Sequence, residues 1–289
     1  MRLRFSPWIA IPSSILVACA FSAPLKQTPV TLRRALVEGA KQTYHLEYSS
    51  SQNVELPNGM GDQEVTVNGS QDLLETVGKV DAANQSAAYE LKSTNIKMDI
   101  KTPMGNPLEG KEMPKETVMT GQIDSRNRAT NLKGDAKAME MTGGDLGSSS
   151  SMNVSAEFPE GPIKIGDTWE TQFPKMPFSP GGKMKSSLTG EKSVGTVSAW
   201  VITITGTVPL AMDMTKAMDK MDSPIPKGGI TVKGTVDLNT EVLVDKATGL
   251  VLSVSTKAKS KAIMSIESMS ADLNISGEST SNLKRSDVK

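Results

Sequence analysis

The 289-residue chain predicts a mainly β fold built on a large antiparallel sheet with a few short helices. Three observations carry that expectation. Long stretches alternate apolar and polar residues with a period of two, the pattern of half-buried strands. Short polar turns such as Asp245-Lys246-Ala247-Thr248-Gly249 separate them, so successive strands pair antiparallel with one polar face. Aromatic residues make up only 4% of the chain, so the core must be assembled from Val, Leu, Ile, Ala and Met. Such a core gains roughly 25 cal/mol for each Å² of apolar area it buries.

Strand signals begin at Gln42, where Tyr44, Leu46 and Tyr48 share one face and His45, Glu47 and Ser49 the other. Gln63–Val67 and Leu73–Val80 continue the pattern, with Asn68-Gly69 between them reading as a hairpin turn. Ala87–Ile100 is a long strand whose face changes near Thr94, which predicts a bulge. Pro103–Pro114 reads as a loop, and Val118–Leu132 as strand material around Asp124-Ser125-Arg126. Asp135–Met141 has the composition of one or two helical turns, and Gly143–Ser151 is a Gly/Ser-rich linker.

The second half opens on Phe158-Pro159-Glu160-Gly161-Pro162 and turns at Gly166-Asp167 into a strand led by Trp169. A proline-rich loop runs from Pro174 to Gly182. Trp200, Ile202 and Ile204 share a face, and so do Val232, Val236, Leu238, Val242 and Val244. After the 245–249 turn, Leu250, Leu252, Val254, Thr256 and Ala258 return on one face, followed by Ile263–Ile266 and Leu273–Ile275. Between these strands, Met214, Met218 and Met221 recur at helical spacing within Met212–Met221, before Pro224 and Pro226. The expected organisation is a signal peptide over 1–18, a tether over 19–31, an N-terminal half of the β domain over 32–142, the linker over 143–151 and a C-terminal half over 152–285.

The leader predicts the compartment. Arg2 and Arg4 precede an apolar run, Ile9–Ala20, that is far shorter than the roughly 20 residues needed to span a bilayer. Leu16-Val17-Ala18-Cys19 resembles the lipobox of bacterial lipoproteins, which implies diacylation of Cys19 and a membrane-anchored mature chain. Cleavage after Ala18-Cys19-Ala20 is the other reading, and it gives a secreted soluble form. Cys19 is the sole cysteine, so under either reading the mature domain has no disulfide. By the same resemblance, Ala20 in place of Asp after the cysteine favours outer-membrane sorting over retention elsewhere in the envelope.

Composition and motifs exclude several chemistries. Removing residues 1–18 takes away Arg2 and Arg4 and no acid, leaving 30 basic against 32 acidic side chains. With no basic stripe to neutralise phosphates, nucleic acid is not an expected partner. His45 is the only histidine, too few for a zinc site and without an acid at a telling spacing for a catalytic triad. There is no G-x-S-x-G elbow and no S-x-x-K run. Asp62, Asp167 and Asp245 sit in turns, where Asp bonds its own backbone. No catalytic residue, metal ligand or cofactor is expected, and the chain reads as non-enzymatic. The 17 methionines are the one unusual count. Met212, Met214, Met218 and Met221 are candidates to line an apolar ligand, the packing of a core stripe being the other reading and soft ligation of Cu(I) a third.

Two stretches carry a family resemblance. Phe158–Trp169 resembles a segment of uncharacterised bacterial exported proteins grouped as the DUF6263 family. Val244–Leu252 resembles a hairpin found in such proteins and in periplasmic lipoprotein carriers of the LolA/LppX type. The resemblance implies a strongly curved sheet, a half-barrel or open barrel, with short helices over its concave side and an acyl ligand held there. The expectation is therefore an exported envelope protein, lipid-anchored at Cys19, with an apolar or acyl ligand on the concave face. The other expectation is a structural or interaction module with a filled core.

Overall fold

The computed structural model describes residues 28–56, 61–103, 105–106, 109, 112–134, 156–173, 179–213 and 229–287. The leader, Cys19, the 135–141 helical expectation, the 143–151 linker, most of the 174–182 loop and Met214, Met218 and Met221 lie outside these residues.

Period-two patterning builds eleven strands: β1 (Lys41–Glu55), β2 (Asp62–Asp81), β3 (Ser86–Lys101), β4 (Glu116–Asp124), β5 (Ala129–Gly134), β6 (Thr168–Phe173), β7 (Gly182–Val194), β8 (Val197–Asp213), β9 (Ile230–Asp245), β10 (Val251–Ile266) and β11 (Ala271–Arg285). They form one antiparallel sheet in the order β5-β4-β3-β2-β1-β11-β10-β9-β8-β7-β6. Each half of the chain is a meander that grows outward from a central seam, where β1 pairs with β11 from Tyr44↔Arg285 to Glu55↔Asn274. At about 3.3 Å per residue, the twenty residues of β2 reach about 66 Å.

The sheet is neither closed nor strongly curled, which corrects the half-barrel and open-barrel expectation. Closure would require β5 to pair with β6, and each is a six-residue edge strand with no ladder joining it to the other. The residues just before β6 instead cross the inner face, so side chains fill what a barrel would enclose. Among the described residues the only helical turn is a 3-10 turn at Glu267–Met269, and the expected helices over 135–141 and 212–221 fall outside them except at Met212 and Asp213. Met212 lies in β8, where the alternation of Val208, Leu210 and Met212 continues the strand's inner face.

Two further local expectations change. Asn68-Gly69 is not a turn but the middle of β2, paired with Ser49 and Tyr48. Gly69 is needed there because a Cβ would collide with the Tyr48 ring, which lies over it. On β10 a register irregularity between Val251 and Ser253 splits the expected face: Val251 and Val254 join the main core, while Leu252 packs with Ala199 and Leu243 in a smaller cluster. The bulge expected near Thr94 is present, between Ser70 and Asp72 opposite Lys97 and Thr94, with Asn95 at φ 51°.

One end of the sheet is closed over. A strap, residues 28–40, and a crossing segment, residues 156–167, lie across its inner face. Val30 and Ile163 bridge each other through both backbone amides, and the Gly166 N–H donates to the Leu188 carbonyl on β7. The Arg34 N–H donates to Ser125 in the β4–β5 turn and the Ala35 N–H to Thr248 in the β9–β10 turn, each at 2.7 Å. Gly249, at φ 66°, meets the Arg33 carbonyl so closely that a Cβ has no room. Beneath the strap runs an unbroken apolar row across six strands, Leu188–Ile202–Val242–Val254–Leu283–Leu46, packed with Leu32 and Phe158.

Candidate functional site

Moving along the strands from the closed end, the next inner row changes chemistry. Ser186, Thr240, Thr256 and Ser281, all buried, stand in register across the C-terminal half, with Ile204 on β8 between Ser186 and Thr240. The hydroxyls of Thr240 and Thr256 bond each other at 3.1 Å, and those of Thr171 and Ser186 at 3.2 Å. Small polar groups leave less apolar surface to pack, and the next rows hold a shallow cleft with about 30 Å³ of free volume. Phe173, Val208, Leu210, Val236, Leu238 and Ala258 form its apolar wall on β6, β8, β9 and β10, facing Ser50, Gln52 and Ser279 on β1 and β11.

Of the candidate ligand-lining methionines, Met212 packs against the Leu210–Val236–Ala258 cluster beside this cleft. Met214, Met218 and Met221 lie outside the described residues, so the four are not seen together. The cleft's apolar wall was legible as alternating positions on β8, β9 and β10. Its polar wall was not singled out, because Ser49–Asn53 carries no apolar alternation to mark which side chains face inward.

A second cluster is a buried ion pair beneath the strap. Arg34 and Glu75 are each 1% exposed and in direct contact. The Arg34 guanidinium also donates to Asn127 Oδ1 at 3.0 Å, and Asn127 donates to the Ala156 carbonyl. Asn127 adopts φ 60°, which aims its amide inward. Among the described residues Arg34 Nε, Glu75 Oε2 and the Tyr44 hydroxyl have no hydrogen-bond partner. Burial lowers the Arg34 pKa, opposed by the nearby Tyr44 and Tyr89. Burial pushes the Tyr44 hydroxyl up to about 12 and raises Tyr89 further, against the pull of Arg34. Glu75 shares the inner face with Leu73 and Val77, and that carboxylate on an apolar face was a readable signal for a buried cation. Sealed from solvent, the pair can dock the strap but cannot reach a substrate.

His45 faces the opposite, solvated side of β1, its imidazole half exposed. Nδ1 lies 2.7 Å from Asp72 Oδ1, and the Asn95 amide donates to the other Asp72 oxygen. These hydrogen bonds, Asn95 first, hold the Asp72 carboxyl below its ordinary pKa. Among the described residues no three His, Cys, Asp or Glu side chains gather as a metal site. No family model matches the chain, and a search of curated proteins finds no match.

Proposed function

We propose that this chain is a non-enzymatic, exported protein of the cell envelope, anchored through lipidated Cys19, whose inner sheet face takes an apolar or acyl ligand. The observation that carries the reading is the uneven filling of that face. One end is sealed by the strap and crossing segment, whereas the cleft beyond the hydroxyl row presents Leu210, Val236, Leu238 and Ala258 beside a polar wall. A concave, mostly apolar cleft with a few polar groups along one wall is the form that small-molecule sites take. The short leader ending in Leu-Val-Ala-Cys supports the anchoring. The two segments similar to exported proteins agree with that compartment.

Two measurements test it. Metabolic labelling with a palmitate analogue is expected to mark the protein, and Cys19→Ser to abolish the label; an unlabelled protein cut after residue 20 overturns the anchor. Native mass spectrometry of envelope-purified protein is expected to show bound apolar mass, and an uncharged fluorescent apolar dye to bind the purified domain. Ligand-free protein that ignores the dye overturns the binding reading. The cleft's small volume, about 30 Å³, favours a second reading, a structural or interaction module whose sheet only packs its core.

A further inference from the structure

Apart from β11, the sheet order holds one five-strand series twice, β5-β4-β3-β2-β1 and β10-β9-β8-β7-β6. The backbone entering each series repeats as well. Gly39 before β1 and Gly166 before β6 both have positive φ, 78° and 95°. The Gly39 N–H donates to the Val77 carbonyl on β2 at 2.8 Å, and the Gly166 N–H to that of Leu188 on β7 at 2.7 Å. The return bonds match, from the Val77 N–H to Ala40 and from the Leu188 N–H to Asp167. So do the β4–β5 and β9–β10 turns. Asp124 and Asp245 each accept, through Oδ1, the amide two residues on. Asn127 at φ 60° and Gly249 at φ 66° then donate their N–H groups to the carbonyls of the same aspartates. The sheet is therefore two like units, β1–β5 and β6–β10, joined by β11.

Chemistry breaks the likeness at one place. Five residues before each glycine stand Arg34 and Gly161. Two residues before Val77 and Leu188 stand Glu75 and Ser186. The first unit thus buries Arg34, Glu75 and Asn127 where the second has Gly161, Ser186 and Gly249. Among the described residues Arg34 Nε and Glu75 Oε2 lack partners, so the pair is not arranged for greatest stability. A buried ion pair often stabilises no more than apolar groups of its own volume. The strap's backbone bonds do not choose between the units either. The Arg34 N–H meets the first unit's turn at Ser125, and the next amide, Ala35, meets the second unit's turn at Thr248. Every residue but proline supplies such an amide. Only the side chains tell the units apart.

We propose that the Arg34–Glu75 pair is a seating device, which fixes the strap on the first of two like units rather than adding stability. Turned towards the second unit, Arg34 would meet Ser186 and Gly249 in place of Glu75 and Asn127, a buried cation with no counter-charge. That disfavours the second seat by at least about a hundredfold. The strap runs directly into β1, so its seat also sets where the chain before residue 28 leaves the sheet.

Amide NMR of the full protein tests this, with Ala35, Ser125 and Thr248 reporting the seat. The parent protein is expected to give one set of resonances for these amides. Two neutral pairs, Arg34→Met with Glu75→Leu and Arg34→Gln with Glu75→Gln, are expected to fold and to give a second set. Its population should reach on the order of a tenth or more once the charge penalty is gone. Leu32→Ala removes strap packing but keeps the ion pair, and is expected to lower the denaturant midpoint while retaining one set. A single, parent-like set in either folded neutral pair overturns the proposal. So does a second set in Leu32→Ala, because packing would then choose the seat. Failure of both neutral pairs to fold overturns it too, since the pair would then be needed for stability itself.

Discussion

The two ends of the inner face share the long strands β1, β2, β3 and β8–β11 and, among the described residues, differ in what covers them. At the closed end, the row from Leu188 to Leu46 has six consecutive apolar members, each at most 2% exposed. The strap adds Leu32 and the crossing segment adds Phe158, so the sheet has a second layer there. Beyond the hydroxyl row, the corresponding rows mix Val and Leu with Gly, Ser and Gln, and the packed residues divide into two smaller clusters, Leu210–Val236–Ala258 and Ile230–Ile266–Leu273, each with half-buried neighbours. A sheet needs a covering layer to bury its apolar face. Among the described residues the closed end therefore carries the larger share of the packed core.

Substitutions should break that contrast in order of size. Arg34→Ala leaves Glu75 buried and uncompensated beneath the strap and is expected to cost about 3–5 kcal/mol in denaturant unfolding. The double variant Arg34→Met with Glu75→Leu is expected to recover most of that loss, because a buried pair replaced by apolar groups is often neutral. If the single variant is silent, the strap does not depend on the pair.

Alkaline titration comes next. Tyr44 is buried as the neutral phenol and its folded pKa is raised from 10.0 to about 12, so its contribution is whole below pH 10 and is lost as pH rises towards 12. The loss amounts to about 2–3 kcal/mol, with Tyr89 acting in the same direction. Tyrosinate absorbance and loss of β circular dichroism should rise together, and Tyr44→Phe should delay the transition. Phenol ionisation without unfolding would show the closed end to be open to hydroxide.

Gly249→Ala should follow at about 2 kcal/mol, since Ala is strained at φ 66° and its methyl meets the Arg33 carbonyl. At the far end, Met212→Ala should cost about 1 kcal/mol or less, because its side chain is only half buried. A Met212 loss as large as that of Arg34 would remove the contrast between the ends.

Much of the sheet was legible in the chain. Tyr44-Leu46-Tyr48, Val232 to Val244 and the 245–249 turn reported strand, face and hairpin through local geometry alone, since the period of a strand is set within each peptide unit. Errors arose where a neighbour overrode the local rule. Asn68-Gly69 has turn chemistry, but the Tyr48 ring selects the glycine for close approach within a strand. Leu252 obeys the alternation on paper, yet the irregularity at Val251/Ser253 sends it to the other face. Of the candidate site, the apolar wall could be read from parity. The polar wall could not, because serines alternate on both faces of β1.

From the chain alone came the mainly β class, the antiparallel pairing of successive strands and turns such as 245–249, because these depend on composition and on neighbours a few residues apart. The tertiary structure alone decided that β1 and β11 form the central seam, that the sheet stays open, and that residues 28–40 and 156–167 cover one end of it. Those outcomes depend on contacts between segments far apart in sequence, such as Arg34 with Glu75 and Val30 with Ile163, whose pairing no local pattern encodes.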